Sequence, residues 1–173
     1  MLFRSLDTMS SPNVPRDPMD VSHPGSREFH AELGRLITAS ALVESELESI
    51  IRWMLEADER GAEIVTATMD FRRKLDVVQA LIADYKADDA HYQLIAAICR
   101  ECHTLYNERN SFVHGMWQRG KVQSRRSLAL ASTKGGAFRV TFKDIAPDDV
   151  RRLADKFVDC WNRINRALID SLL

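Results

Sequence analysis

The sequence predicts a mainly all-α fold: a bundle of four to five helices with a β-hairpin inserted before the last one. Three observations carry this. Apolar residues recur at three and four from Arg27 to Val113, and the same spacing returns from Val150 to Leu172. Between them lies a Gly-containing stretch in which the pattern switches to alternation. A four-helix arrangement gives every apolar stripe a partner.

The first helix is expected over about 27–57, with Phe29, Leu33, Leu36, Val43, Leu47, Ile50 and Met54 on one stripe. Glu44, Glu46 and Glu48 alternate with it. Asp58 to Gly61 reads as a break or sharp turn, followed by a short helix from Ala62 to Thr68. Asp70 suits the cap of the next helix, because its carboxylate can accept a free backbone N–H. Phe71, Leu75, Val78, Leu81, Ile82 and Tyr85 form that helix's inner face. Asp88 or Asp89 caps another, running through Tyr92, Ile95, Ile98, Cys99, Cys102, Leu105, Tyr106, Phe112 and Val113. Gly115 is expected to stop it in the left-handed conformation, which Gly adopts cheaply.

Ser127–Ser132 and Ala137–Phe142 alternate with period two, and Thr133–Gly136 is the expected turn of a hairpin within about 116–143. A third short strand is expected near Trp117. Pro147 falls in the first turn of the last helix, where its missing N–H is harmless. Residues 27–173 read as a single helical domain.

The 173 residues hold 24 Lys and Arg against 25 Asp and Glu. This balance excludes a strongly basic, histone-like binder but leaves room for a local basic patch. No apolar run approaches the ~20 residues of a membrane span, so no membrane partner is expected. The segment 1–26 carries four of the five prolines and no 7–15-residue apolar stretch. It reads as a flexible tail rather than a secretory signal, and a cytoplasmic protein is expected. Cys99, Cys102 and Cys160 therefore give no disulfide framework.

Cys99-Arg100-Glu101-Cys102-His103 matches the C-x-x-C-H pattern of c-type haem attachment. Its mid-helix position among apolar residues speaks against that reading, and the two thiols fit better as small core hydrophobes. A zinc site built on them would need Cys160 or His91 as a further ligand. Neither a cofactor nor a metal is expected.

The chemically informative stretch is Asn107-Glu108-Arg109-Asn110-Ser111-Phe112-Val113-His114-Gly115. On a helical wheel Arg109 falls inside the apolar arc, where a guanidinium is costly unless paired or opened to a polar pocket. His103, Asn110 and His114 share the flank of that helix. Such a set suits a phosphate-like anion: Arg grips its oxygens with a two-pronged fork, and His moves protons. Two structural alternatives stand beside this. Arg109 can pair with Glu44, Glu46 or Glu48, and His114 can serve as a helix C-terminal cation.

At these residues the sequence resembles the HEPN superfamily, whose mark is an Arg, four to six residues, then His, often with a polar residue after the Arg. Here that is Arg109, Asn110 and His114, in RNSFVH, extended by Gly115 and Trp117. The resemblance covers about Arg27 to Gly115 and the last helix. It implies a metal-independent endoribonuclease, of toxin or defence type, in which two motifs face one cleft. Arg109 would hold the scissile phosphate, His114 would be general acid or base for attack by the ribose 2′-OH, and Asn110 would orient either. The product would be a 2′,3′-cyclic phosphate. One motif per chain implies a homodimer, with RNA or a nucleotide as ligand and an antitoxin or regulatory protein as partner. Other members use the same bundle, without catalysis, to bind nucleotides or proteins.

His103 and Asn107 beside the motif, and Arg125 and Arg126 in the hairpin, are the further expected substrate contacts. Within the hairpin Lys121, Arg125, Arg126, Lys134, Arg139 and Lys143 outnumber acidic residues. They read as a solvated face or as an arm on the RNA backbone. Trp117 stacks on a base or packs beneath the hairpin. Several toxin-type members carry Tyr two residues after the His; this chain has Met116.

Overall fold

The computed structural model describes residues 24–119, 126–132 and 139–170. The elements are α1 (Pro24–Met54), α2 (Glu59–Thr66), α3 (Phe71–Tyr85), α4 (Ala90–His114), β1 (Met116–Arg119), β2 (Arg126–Ser132), β3 (Arg139–Ile145) and α5 (Pro147–Asp170). The fold is mainly α, with a three-stranded antiparallel sheet of order β1-β2-β3 between α4 and α5. The expected third strand is β1. The expected turn Thr133–Gly136 and residues 1–23 lie outside the described residues.

Short acidic caps set the helix starts. The Asp58 carboxylate accepts from Gly61 N at 2.7 Å, and that of Asp70 from Arg73 N at 2.7 Å. Asp89 accepts from His91 N at 2.9 Å, so it, and not Asp88, caps α4. Each satisfies an amide that the helix leaves unpaired at its first turn. Asp58 therefore opens α2 at Glu59, three residues before the expected start. The first helix also differs from expectation. It begins at Pro24, a residue suited to a first turn, and ends at Met54 because Glu56 turns to φ 50°.

Ring and ion contacts fix the helix directions. Trp53 of α1 stacks on Tyr92 of α4, while Phe29 meets Trp117 just beyond the end of α4, so α1 and α4 are antiparallel. Phe71 stacks on Tyr106 and Asp76 pairs with His103, so α3 and α4 are antiparallel too. Arg151 bonds Glu32, and Arg35 bonds Asp155, so α1 and α5 run parallel. One apolar cluster joins α1, α3, α4 and α5 with Leu128 of β2 and Ile145 of β3. Fully burying a Leu, Ile or Phe of this kind contributes about 1.5–3 kcal/mol.

Gly115 overturns an expectation. Its φ is −72° and ψ 154°, an extended conformation open to any residue. Glycine is required there for space: an added Cβ would overlap Leu128 Cδ1 and the Ser111 carbonyl oxygen. The sheet thus leaves α4 in near contact with its last turn. Trp117 Nε1 donates to the Phe112 carbonyl at 2.8 Å and satisfies one of the end carbonyls.

Candidate functional site

Arg109 continues a core line. Cys102, Leu105 and Phe112, at seven and four before it and three after it, are all buried. Arg109 itself is half-buried. Its Cζ lies 5.9 Å from the centroid of the Tyr106 ring, which is stacked in turn on Phe71. The guanidinium thus rests on an aromatic face that is held in place from α3. Its Nη1 donates to Asn110 Oδ1 at 3.0 Å, while Nε is buried with no partner.

The alternative pairing of Arg109 with Glu44, Glu46 or Glu48 of the first helix does not occur among the described residues. Lys74 of α3 occupies that position, donating to Glu44 at 2.6 Å and Glu48 at 2.5 Å. Lys74 is only 5% exposed. Burial pushes its ammonium pKa down, but the two carboxylates outweigh burial and the net shift is upward. With both Glu side chains engaged by Lys74, no carboxylate among the described residues pairs with Arg109. Lys74 was hidden in the sequence because it sits in the stripe of Phe71, Leu75 and Val78. In the sequence Tyr106 fits the core stripe, and its position three residues before Arg109 is the signal of a shelf.

Asn110 is half-buried and His114 exposed in the last turn of α4. Four residues apart, they are neighbours on one face, about 5–6 Å between Cβ atoms. The Arg109–Asn110 bond therefore draws the guanidinium toward the edge that His114 borders. Arg109 and His114 are not hydrogen-bonded to each other; five residues separate them, about 7.5 Å along the axis.

The other expected contacts scatter. His103 Nε2 is 3.0 Å from Asp76 Oδ1, so it turns to α3 instead of joining Asn110 and His114. Asn107 is exposed, and its carbonyl accepts from the Ser111 hydroxyl at 3.1 Å. Arg126 opens β2, opposite Ile145 and Arg119. Arg125, Lys121 and Lys134 lie outside the described residues. Trp117 packs beneath the sheet, edge-on to Phe29 at 4.7 Å. Cys99, Cys102 and Cys160 are free and buried. Burial pushes the Cys99 thiol up to about 12, and contact with Cys160 and burial push Cys102 upward. The same contact with Cys102 lowers the Cys160 thiol, and all three pack in the α4–α5 core. Among the described residues, no three His, Cys, Asp or Glu side chains cluster as metal ligands. No described helix is long and apolar enough to cross a membrane.

Chemically, the arrangement offers a half-buried cation whose Nε has no partner among the described residues, an amide that steers it, and an exposed imidazole one turn on. Comparisons of the chain with protein-family models, with curated proteins and with solved structures gave no match.

Proposed function

We propose that the protein is a metal-independent endoribonuclease of the HEPN type, working as a homodimer in a toxin or defence role. One observation carries the reading. Arg109 holds a guanidinium on the core line of α4 that no described carboxylate balances, tied to Asn110 one turn before His114. A structural arginine in such a place would be neutralised, as Lys74 is.

In this reading the Arg109 fork holds the non-bridging oxygens of an RNA phosphodiester and stabilises the charge that grows on them. His114 takes the proton of the ribose 2′-OH as the 2′-oxygen attacks phosphorus. The bond from phosphorus to the 5′-oxygen breaks, and that oxygen leaves with a proton from an imidazolium. In a paired site the second copy supplies that imidazolium. The products are a 2′,3′-cyclic phosphate and a 5′-hydroxyl. Asn110 fixes the guanidinium's direction. An antitoxin or regulatory protein would act by covering the His114 edge.

The test is end-group analysis of RNA incubated with the protein in EDTA. Fragments ending in cyclic phosphate and starting with 5′-hydroxyl are expected. Intact RNA, with the protein folded and dimeric, would leave a binding module of the same fold as the better reading.

A further inference from the structure

At the opposite end of α4 from Arg109, a cleft opens between the C-terminal ends of α1 and α3. Its volume is about 690 Å³, within the ~300–1,000 Å³ range of ligand sites. Trp53, Tyr85, Arg52, Lys86 and Glu56 line it. Tyr92 stacks on Trp53 with the planes 9° apart and the centroids 5.7 Å apart. Trp53 nevertheless remains 48% exposed, and Tyr85 is 65% exposed. Tyr92 lies against the indole, and Trp53 itself lines the cleft. Lys86 Nζ lies 5.4 Å from both ring centroids of the stack. Arg52 forms no salt bridge among the described residues, and neither does Glu56.

We infer that this cleft binds a nucleotide unit, with its base on Trp53 and Tyr85 and its phosphate on Arg52 and Lys86. Each part of the cleft answers to one part of that ligand. Exposed aromatic faces stack any base. The Arg52 guanidinium, without a salt bridge among the described residues, and the Lys86 ammonium supply the charge for a phosphate. Glu56 is a carboxylate acceptor for amino or imino hydrogens at a base edge. Its backbone is fixed beneath the cleft: Glu56 N donates to the Trp53 carbonyl at 3.2 Å, and Ala57 N to that of Arg52 at 3.1 Å.

Tyr92 and Arg109 are seventeen residues apart on α4, about 25 Å along the axis. The cleft is therefore distinct from the Arg109–His114 edge. That the nucleotide belongs to a strand and not to a free pool rests on the ribonuclease reading. Such a strand would be anchored at this cleft, several nucleotides from the cleavage point.

The test uses the His114→Ala protein, so that RNA stays intact, with a fluorescein-labelled octauridylate and, separately, AMP as probes. Trp53→Ala, Tyr85→Ala and the double change Arg52→Ala/Lys86→Ala are compared by anisotropy and by competition. Removing Trp53 should weaken octamer binding by about 5- to 100-fold, with Trp53→Phe restoring most of it. Removing the two cations should lower the slope of log affinity against log salt by between one and two. Tyr85 is exposed enough to be removed without unfolding, and its loss should weaken binding in the same direction.

Octamer binding well above AMP binding supports a strand anchor; equal binding of both supports a site for free nucleotides. Unchanged affinity in all three variants overturns the site, and so does binding of neither probe. Cleavage is read in parallel on proteins with His114 intact. Lost binding in the cleft variants without any wild-type cleavage would keep the cleft and discard the nuclease. Cleavage that these variants leave unaltered, with unaltered binding, would do the reverse.

Discussion

At the scale of single residues, a buried lysine and a half-buried arginine have opposite solutions. Lys74 is sealed between Glu44 and Glu48, while among the described residues Arg109 meets a Tyr106 face and an amide oxygen and no carboxylate. The second arrangement leaves stability unrealised. Arg109→Met would continue the apolar line of Cys102, Leu105 and Phe112. It is expected to raise stability by up to about 1 kcal/mol while abolishing RNA cleavage. Urea unfolding and cleavage assays on the same preparation check this; a destabilised variant would mark Arg109 as structural. Lys74 carries the contrary expectation. Its pKa is raised above the unfolded value of 10.5, so its bridge stabilises the fold fully below that pH. The contribution is lost as pH rises through the folded value. Lys74→Ala should therefore cost about 1–3 kcal/mol at neutral pH, with the gap to wild type closing above pH 10.5. Denaturant midpoints across that range measure it.

At the scale of elements, the junction of α4 with β1 leaves no room for a side chain at Gly115. Gly115→Ala forces Leu128 and the Ser111 carbonyl apart, and should cost about 1–3 kcal/mol by driving the sheet off α4. A fall in thermal midpoint with reduced fluorescence change at Trp117 would report it. The sequence identified this glycine but assigned it the wrong reason. Left-handed backbone is a local property that composition suggests, whereas the approach of Leu128 belongs to a strand thirteen residues away. The same division runs through the other elements. The stripes of α1, α3, α4 and α5 were legible because period 3.6 is local. The caps at Asp58, Asp70 and Asp89 were legible as residue types, although Asp58 was read as a break. Long-range partnerships were not: Lys74 with Glu44 and Glu48, His103 with Asp76, and Tyr106 with Phe71. Arg109 stood out in the sequence because it violates the stripe it sits in, a local contradiction that tertiary structure has left without a balancing carboxylate.

At the scale of the whole molecule, one chain holds one Arg109 and one His114, five residues apart on a single helix. In the proposed reaction, acid and base roles at one phosphate would be shared by two imidazoles, which a two-fold pair of chains would supply. Sedimentation at micromolar concentration is expected to give twice the 19.7 kDa chain mass. A strict monomer would contradict the paired site. In a dimer of this kind the remote aromatic cleft would give two anchors, and a preference for longer single strands over dinucleotides is expected.

The central claim is that Arg109 and His114 cleave RNA without metal. The direct measurement is the cleavage rate of a mixed-sequence RNA in EDTA, with wild-type and His114→Ala proteins side by side. Wild-type cleavage, reduced at least about 100-fold in the variant, is the expected result. Equal rates in the two proteins, or cleavage that EDTA abolishes, would contradict it.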